Sequence, residues 1–162
     1  MLSNIRKRKA QQGFTIIEVM IVLAIAGLIL LVVFLAVPAL QRNARNTQRR
    51  EDAGNVLSSV SEYIANNNGS IPGVQTTLGT GNQATLGTGT GINTVPINLG
   101  YYDAASISVK AYAASLTTTT DTLVVITGAT CSGNTYTNTN ATARSIAIIY
   151  TLENAVTQCR AS

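Results

Sequence analysis

Few side chains in this sequence are of the kinds that do chemistry. Histidine is absent, which removes the commonest general base and metal ligand, and the two cysteines, Cys131 and Cys159, are too few for a structural zinc site. No catalytic residue, metal site or cofactor is expected from this inventory. Gly79, Gly81, Gly87, Gly89 and Gly91 invite a phosphate-loop reading, but no lysine follows them and no strand-to-helix junction frames them. One carboxylate stands apart. Glu18 lies in a stretch from Phe14 to Leu40 whose only other polar side chain is Thr15. In a membrane span a carboxylate costs about 2 to 3 kcal/mol at the helix centre and less near an interface. Glu18 therefore calls for a headgroup within reach or a cation to pair with.

The elements around Glu18 follow from composition. Residues 1–13, MLSNIRKRKAQQG, are short, basic and without an apolar stretch, and they read as a leader. Arg6, Lys7, Arg8 and Lys9 supply the whole net charge of +4, because the other seven Lys and Arg are balanced by seven Asp and Glu. The body is neutral, and beyond Arg50 it has only Lys110, Arg144 and Arg160, so direct nucleic-acid binding is not indicated. Residues 14–40 would span about 40 Å as a helix, enough for a hydrocarbon core of about 30 Å. Basic residues on the two sides of this span tie, since Arg42, Arg45, Arg49 and Arg50 follow it, so charge alone leaves the orientation open. Arg42, Arg45 and Arg49 share one helical face, suited either to anionic headgroups or to a solvated surface.

Residues 41–66 continue the helix in amphipathic form, with Ala53, Val56, Leu57, Val60 and Ile64 on one stripe. Asn66-Asn67-Asn68-Gly69 favours a left-handed stop, and Ile71-Pro72 prevents early resumption. Pro38 should bend the helix, because its ring removes a donor and crowds the carbonyl one turn earlier, and Gly27 is a second weak point. Residues 67–106 read as a Gly/Thr-rich connecting loop in which TLGTG occurs twice, at Thr77 and Thr85, with 73–94 read as loop or flexible hairpin. Residues 107–162 carry strand patterns: Ile107, Val109 and Ala111 alternate with polar neighbours, 123–127 is a short apolar run, and Ile146, Ile148, Tyr150 and Leu152 share a face. Three or four antiparallel strands are expected, with the stripe from Ala53 to Ile64 as cover. The fold class is α+β: a long N-terminal helix on a small antiparallel sheet.

At the junction of leader and span stands Gly13-Phe14-Thr15-Ile16-Ile17-Glu18, after RKRK and before the apolar run. Here the chain resembles the type IV pilins, whose precursors carry a short basic leader ending in Gly, then an apolar residue, and an acid five into the mature chain. The resemblance at motif level covers about the first forty residues. It implies cleavage between Gly13 and Phe14 by a membrane-bound prepilin peptidase on the cytoplasmic face, N-methylation of Phe14, and outward placement of the C-terminal part. It also implies a pilin fold closed by a C-terminal disulfide. Many relatives have their helix-breaking proline where this sequence has Leu35, with Pro38 about one turn later. Two other readings are an ordinary signal peptide cut near Ala24-Ile25-Ala26, which would leave Glu18 inside the apolar region, and an unprocessed single-span anchor.

In an exported chain two cysteines suggest one disulfide, and the resemblance supports pairing Cys131 with Cys159. The resemblance further implies a filament-forming subunit whose partners are copies of itself, the prepilin peptidase, the pilus assembly machinery and, before assembly, the membrane. The chain would be a single-pass membrane protein first and part of an extracellular pilus afterwards. There the cost of an unpaired buried charge predicts that Glu18 meets the Phe14 amine of a neighbouring subunit, with pairing to its own N-terminus as the competing geometry. A pseudopilin of a type II secretion system, or a minor pilin with an adhesion or DNA-uptake role, shares the same leader and Glu18.

Overall fold

The computed structural model describes residues 13–75, 78–87 and 95–162. The expected leader falls outside these residues except for Gly13, as do parts of the Thr/Gly-rich segment, including Gly89 and Gly91. The chain divides into two compact units, one up to Gln41 and one from Arg42 to Ser162.

A single helix, α1 (Ile16–Asn66), contributes to both. It is assigned as helix throughout, through Gly27 and Pro38. Its part in the first unit exposes apolar side chains on every side, and its part in the second buries Ala53, Val56 and Val60. The helix stops where the asparagine run predicts. Asn68 and Gly69 adopt φ of 53° and 81°, and the Gly69 N–H donates to the Ile64 carbonyl at 2.8 Å, the six-to-one bond of a left-handed C-terminal cap.

Among the described residues the second unit holds three sheets. β4 (Ile107–Ala111), β5 (Leu123–Thr127), β8 (Ile146–Thr151) and β9 (Thr157–Ala161) form the largest, in the spatial order β4-β5-β8-β9. Its pairs are antiparallel except β4 with β5, which run parallel in the register Val109 to Val125. Connection 112–122 causes the exception. It crosses over the sheet instead of turning back as a hairpin, and parallel neighbours require such a crossover.

Every residue of β5 and β8 is buried, so this sheet is covered on both faces. One face, with Ile107, Val109, Leu123, Val125, Ile146, Ile148, Tyr150 and Leu152, meets the stripe of α1. The other, with Val124, Ile126, Ala147 and Ile149, is covered by Tyr112 and Leu116 of the crossover and by the hairpin β6 (Thr130–Ser132) and β7 (Thr135–Thr137).

Of the loop and the hairpin expected within the connecting segment 67–106, the structure takes the hairpin and adds a third strand. β1 (Gly79–Thr80), β2 (Gln83–Leu86) and β3 (Val95–Asn98) form an antiparallel three-stranded sheet, and a 3-10 turn follows at Ala104–Ser106. Ala84, Leu86, Val95 and Ile97 point into the main core from these strands. β2 and β3 each contribute only two such residues among Thr, Gln, Pro and Asn, so their alternation is diluted to the look of low complexity.

Candidate processing and assembly segment

Gly13, Phe14 and Thr15 are non-helical, and α1 begins at Ile16. The boundary has a local cause. The Thr15 carbonyl accepts the first helical bond from the Val19 N–H at 3.4 Å, which makes Thr15 the residue that caps the helix. The Thr15 N–H donates to Glu18 Oε2 at 2.8 Å, the Thr15 hydroxyl donates to the same oxygen at 2.7 Å, and the Glu18 N–H donates to Thr15 Oγ1 at 3.4 Å. This reciprocal pair is a capping box. Its signal, Thr-x-x-Glu before an apolar run, is present in the sequence, yet Glu18 draws attention there for its charge alone. The helix therefore starts two residues later than the apolar run suggests.

Around this box the surface is apolar. Phe14 is 89% exposed, and Ile17, Met20, Ile21, Leu28, Leu31, Phe34 and Leu35 are exposed as well. The helix is long and apolar enough to cross a membrane, and none of its most apolar window is covered by the chain itself. Contiguous apolar surface of this kind marks a membrane or protein contact.

The start of the second unit is built differently. Arg49, 1% exposed, lies over the Tyr101 ring at 4.2 Å, and its Nη2 donates to the Tyr101 hydroxyl at 2.5 Å. The same nitrogen stands 3.8 Å from Glu153 and 3.9 Å from Asp121. Arg45 makes a two-pronged contact with Glu153, whose N–H donates to Asn46 Oδ1 at 3.0 Å. The hydrogen bond from Arg45 holds the Glu153 carboxyl below the usual carboxylate range, and the nearby charges of Arg45, Arg49 and Arg42 act in the same direction. Asp52 accepts three backbone N–H groups, from Gly100 at 2.7 Å, Tyr101 at 2.8 Å and Tyr102 at 3.0 Å. Burial raises the Tyr102 phenol above its ordinary value.

The reading of Arg45 and Arg49 as a headgroup or solvated face is therefore corrected: they tie the helix to loop 100–103 and to Glu153. A signal was available. Arg45, Arg49 and Asp52 fall in the same helical register as Ala53, Val56 and Val60, so they share the buried face.

On the sheet face away from α1, Cys131 of β6 and Cys159 of β9 form a disulfide with Cα atoms 5.7 Å apart. It fixes the hairpin against the edge of the large sheet. Among the described residues no group of three or more His, Cys, Asp or Glu is placed to hold a metal ion.

Residues 8–34 match the family model of the prokaryotic N-terminal methylation motif. That match takes in Gly13, Phe14, Thr15 and Glu18. No curated protein and no solved structure matches the chain. The matched family describes a structural signal and not an enzyme. With its uncovered apolar helix and its α+β body, which is consistent with a pilin fold, the chain carries the type IV prepilin processing signal, and that motif indicates a pilin-like or pseudopilin protein of the prepilin type.

Proposed function

We propose that this protein is a structural subunit of a type IV pilus. A prepilin peptidase cuts it between Gly13 and Phe14, Phe14 is N-methylated, and the pilus machinery moves the subunit from the membrane into an extracellular filament. The observation that carries the reading is the helix from Ile16 to Gln41: apolar on all sides, uncovered by its own chain, and beginning inside the methylation motif, which runs over residues 8–34. Lipid covers that surface before assembly, and identical helices cover it afterwards. Because lipid tails are as apolar as leucine, the exchange gains packing and little water exclusion, which suits a process driven by external work.

Glu18 is the assembly determinant in this reading. Its Oε2 takes both bonds from Thr15, and among the described residues nothing donates to Oε1. The Phe14 amine released on a neighbouring subunit supplies that donor and neutralises the charge, and an unpaired buried charge in a filament core is strongly unfavourable. Pairing also selects the register in which a new subunit docks. Gly27 and Pro38 are the points at which the core helix bends or loosens during packing. The Cys131–Cys159 disulfide supports a pilin over a pseudopilin, because many pilins staple this region in the same way.

Replacing Gly13 with Asp or Arg tests the reading. Cells making either variant should hold only full-length precursor in the membrane and carry no filaments. Wild-type filaments in a strain whose immunoblot shows only uncut precursor would reject the cleavage site.

A further inference from the structure

From the capping box we infer that Thr15 is a positioning residue for processing: it stops α1 at Ile16 and so keeps the Gly13–Phe14 peptide bond out of the helix. The inference rests on the proposed cleavage after Gly13. Hydrolysis adds water across that amide and leaves a Gly13 carboxylate and a Phe14 ammonium. A protease takes its substrate backbone in extended form, with N–H and C=O groups free to bond to the enzyme. In a helix the same groups are already bonded to each other.

The sequence on both sides of this bond favours helix. Upstream, Arg6 to Gln12 reads RKRKAQQ, all strong helix formers, and downstream the apolar run is helical from Ile16. A helix nucleated in the span would propagate upstream at little cost per residue, since only nucleation is expensive. Two features oppose it at the junction. Gly13 lowers helix propensity at one position. Thr15 and Glu18 satisfy each other's backbone donors in a geometry that requires Thr15 to leave the helix. Gly13, Phe14 and Thr15 are the three described residues before the helix, and none is helical.

The box divides labour between its two residues. The Thr15 hydroxyl contacts both the Glu18 carboxylate and the Glu18 N–H, so it is the part that a valine removes and a serine retains. In Glu18→Ala the hydroxyl can still accept from the backbone, so that variant keeps half of the cap and remains a substrate. Thr15 thereby serves cleavage, whereas the Glu18 charge serves assembly.

The test uses full-length precursor in membranes or detergent with prepilin peptidase, reading kcat/KM and the new N-terminus. Thr15→Val should lower kcat/KM by about threefold or more, the range expected for loss of a helix cap, while Thr15→Ser stays near wild type. Adding Gln12→Pro or Gln12→Gly to Thr15→Val breaks the helix by another route and should restore the rate. Backbone NMR shifts of Gly13 and Phe14 in the micelle-bound precursor should be non-helical in wild type and helical in Thr15→Val. Equal rates for wild type and Thr15→Val overturn the inference. So does a slow Thr15→Val whose residues 13 and 14 remain non-helical and which neither Gln12 variant rescues, since the enzyme would then be reading the hydroxyl itself. A wild-type precursor that is cut at some other bond, or not cut at all, defeats the underlying cleavage reading instead.

Discussion

The two parts of α1 solve the problem of burying apolar surface in opposite ways. From Arg42 to Asn66 the helix has one stripe, and its own chain covers it: Ala53, Val56 and Val60 meet the sheet, while Arg45, Arg49 and Asp52 fasten the flanking turns to loop 100–103 and Glu153. From Ile16 to Gln41 the apolar surface runs all round the helix and the chain covers none of it. The second part is finished when the chain folds. In the proposed function the first part is finished by its surroundings, lipid and then other subunits. One helix thus carries a folding determinant and an assembly determinant that should fail independently.

The largest expected effect comes from breaking the first part alone. Glu18→Ala should insert, be cleaved, and give few or no filaments, while the melting temperature of residues 42–162 stays unchanged. Filaments of normal number and length by electron microscopy would make Glu18 a tolerated charge at the membrane edge.

Breaking the second part should do the reverse. Cys131→Ser opens the loop closed with Cys159 and should lower the stability of the body by about 3 to 4 kcal/mol. Denaturant unfolding measures this, and limited proteolysis should cut first near the β6–β7 hairpin. Leader cleavage should continue at the normal rate, because the disulfide lies in the other unit.

Asp52→Ala leaves three backbone donors at Gly100, Tyr101 and Tyr102 without their acceptor. A loss of about 2 to 4 kcal/mol is expected, part of it offset by water reaching the loop. Hydrogen exchange should show these three amides opening first. Unchanged exchange there would remove Asp52 from the fastening.

The smallest effect concerns pH. In the folded state the Glu153 carboxyl titrates below its ordinary value, held there first by the Arg45 hydrogen bond. A depressed folded value means that the contribution is fully present above the unfolded value, about pH 4.3, and is lost as pH falls through the folded value. The melting temperature of residues 42–162 should therefore decline below about pH 4.3, and less steeply in Glu153→Gln. Identical slopes in the two proteins would assign the acid sensitivity to other carboxylates.

What the sequence disclosed followed the strength of each periodic signal. The apolar run, the stripe from Ala53 to Val60 and the stop at Asn66 to Gly69 are long patterns with end signals, and the helix appears where they place it except that it starts two residues late, at Ile16. β4, β5 and β8 occupy the segments marked by alternation or short apolar runs. The parallel pairing of β4 with β5 was not legible, because strand direction depends on the path of connection 112–122, which has no pattern of its own. β2 was legible only as one arm of a possible hairpin and β3 not at all, because their two inward residues each count only once a core exists. Arg49 was misleading because buried charge is rare, and its cover, Tyr101, lies 52 residues away. At the processing segment Gly13, Phe14 and Glu18 were legible as a motif, whereas the role of Thr15 required the hydrogen-bond geometry.

The central claim is that the uncovered part of α1 becomes the packed core of a filament after the leader is removed. N-terminal sequencing and intact mass of this protein from filaments sheared off the cell surface test it most directly. The account predicts a chain that begins at Phe14, carries a methyl group on that amine, and is lighter by two hydrogens at Cys131 and Cys159. Filaments containing a chain that still begins at Met1, or that begins after Ala26, would contradict it.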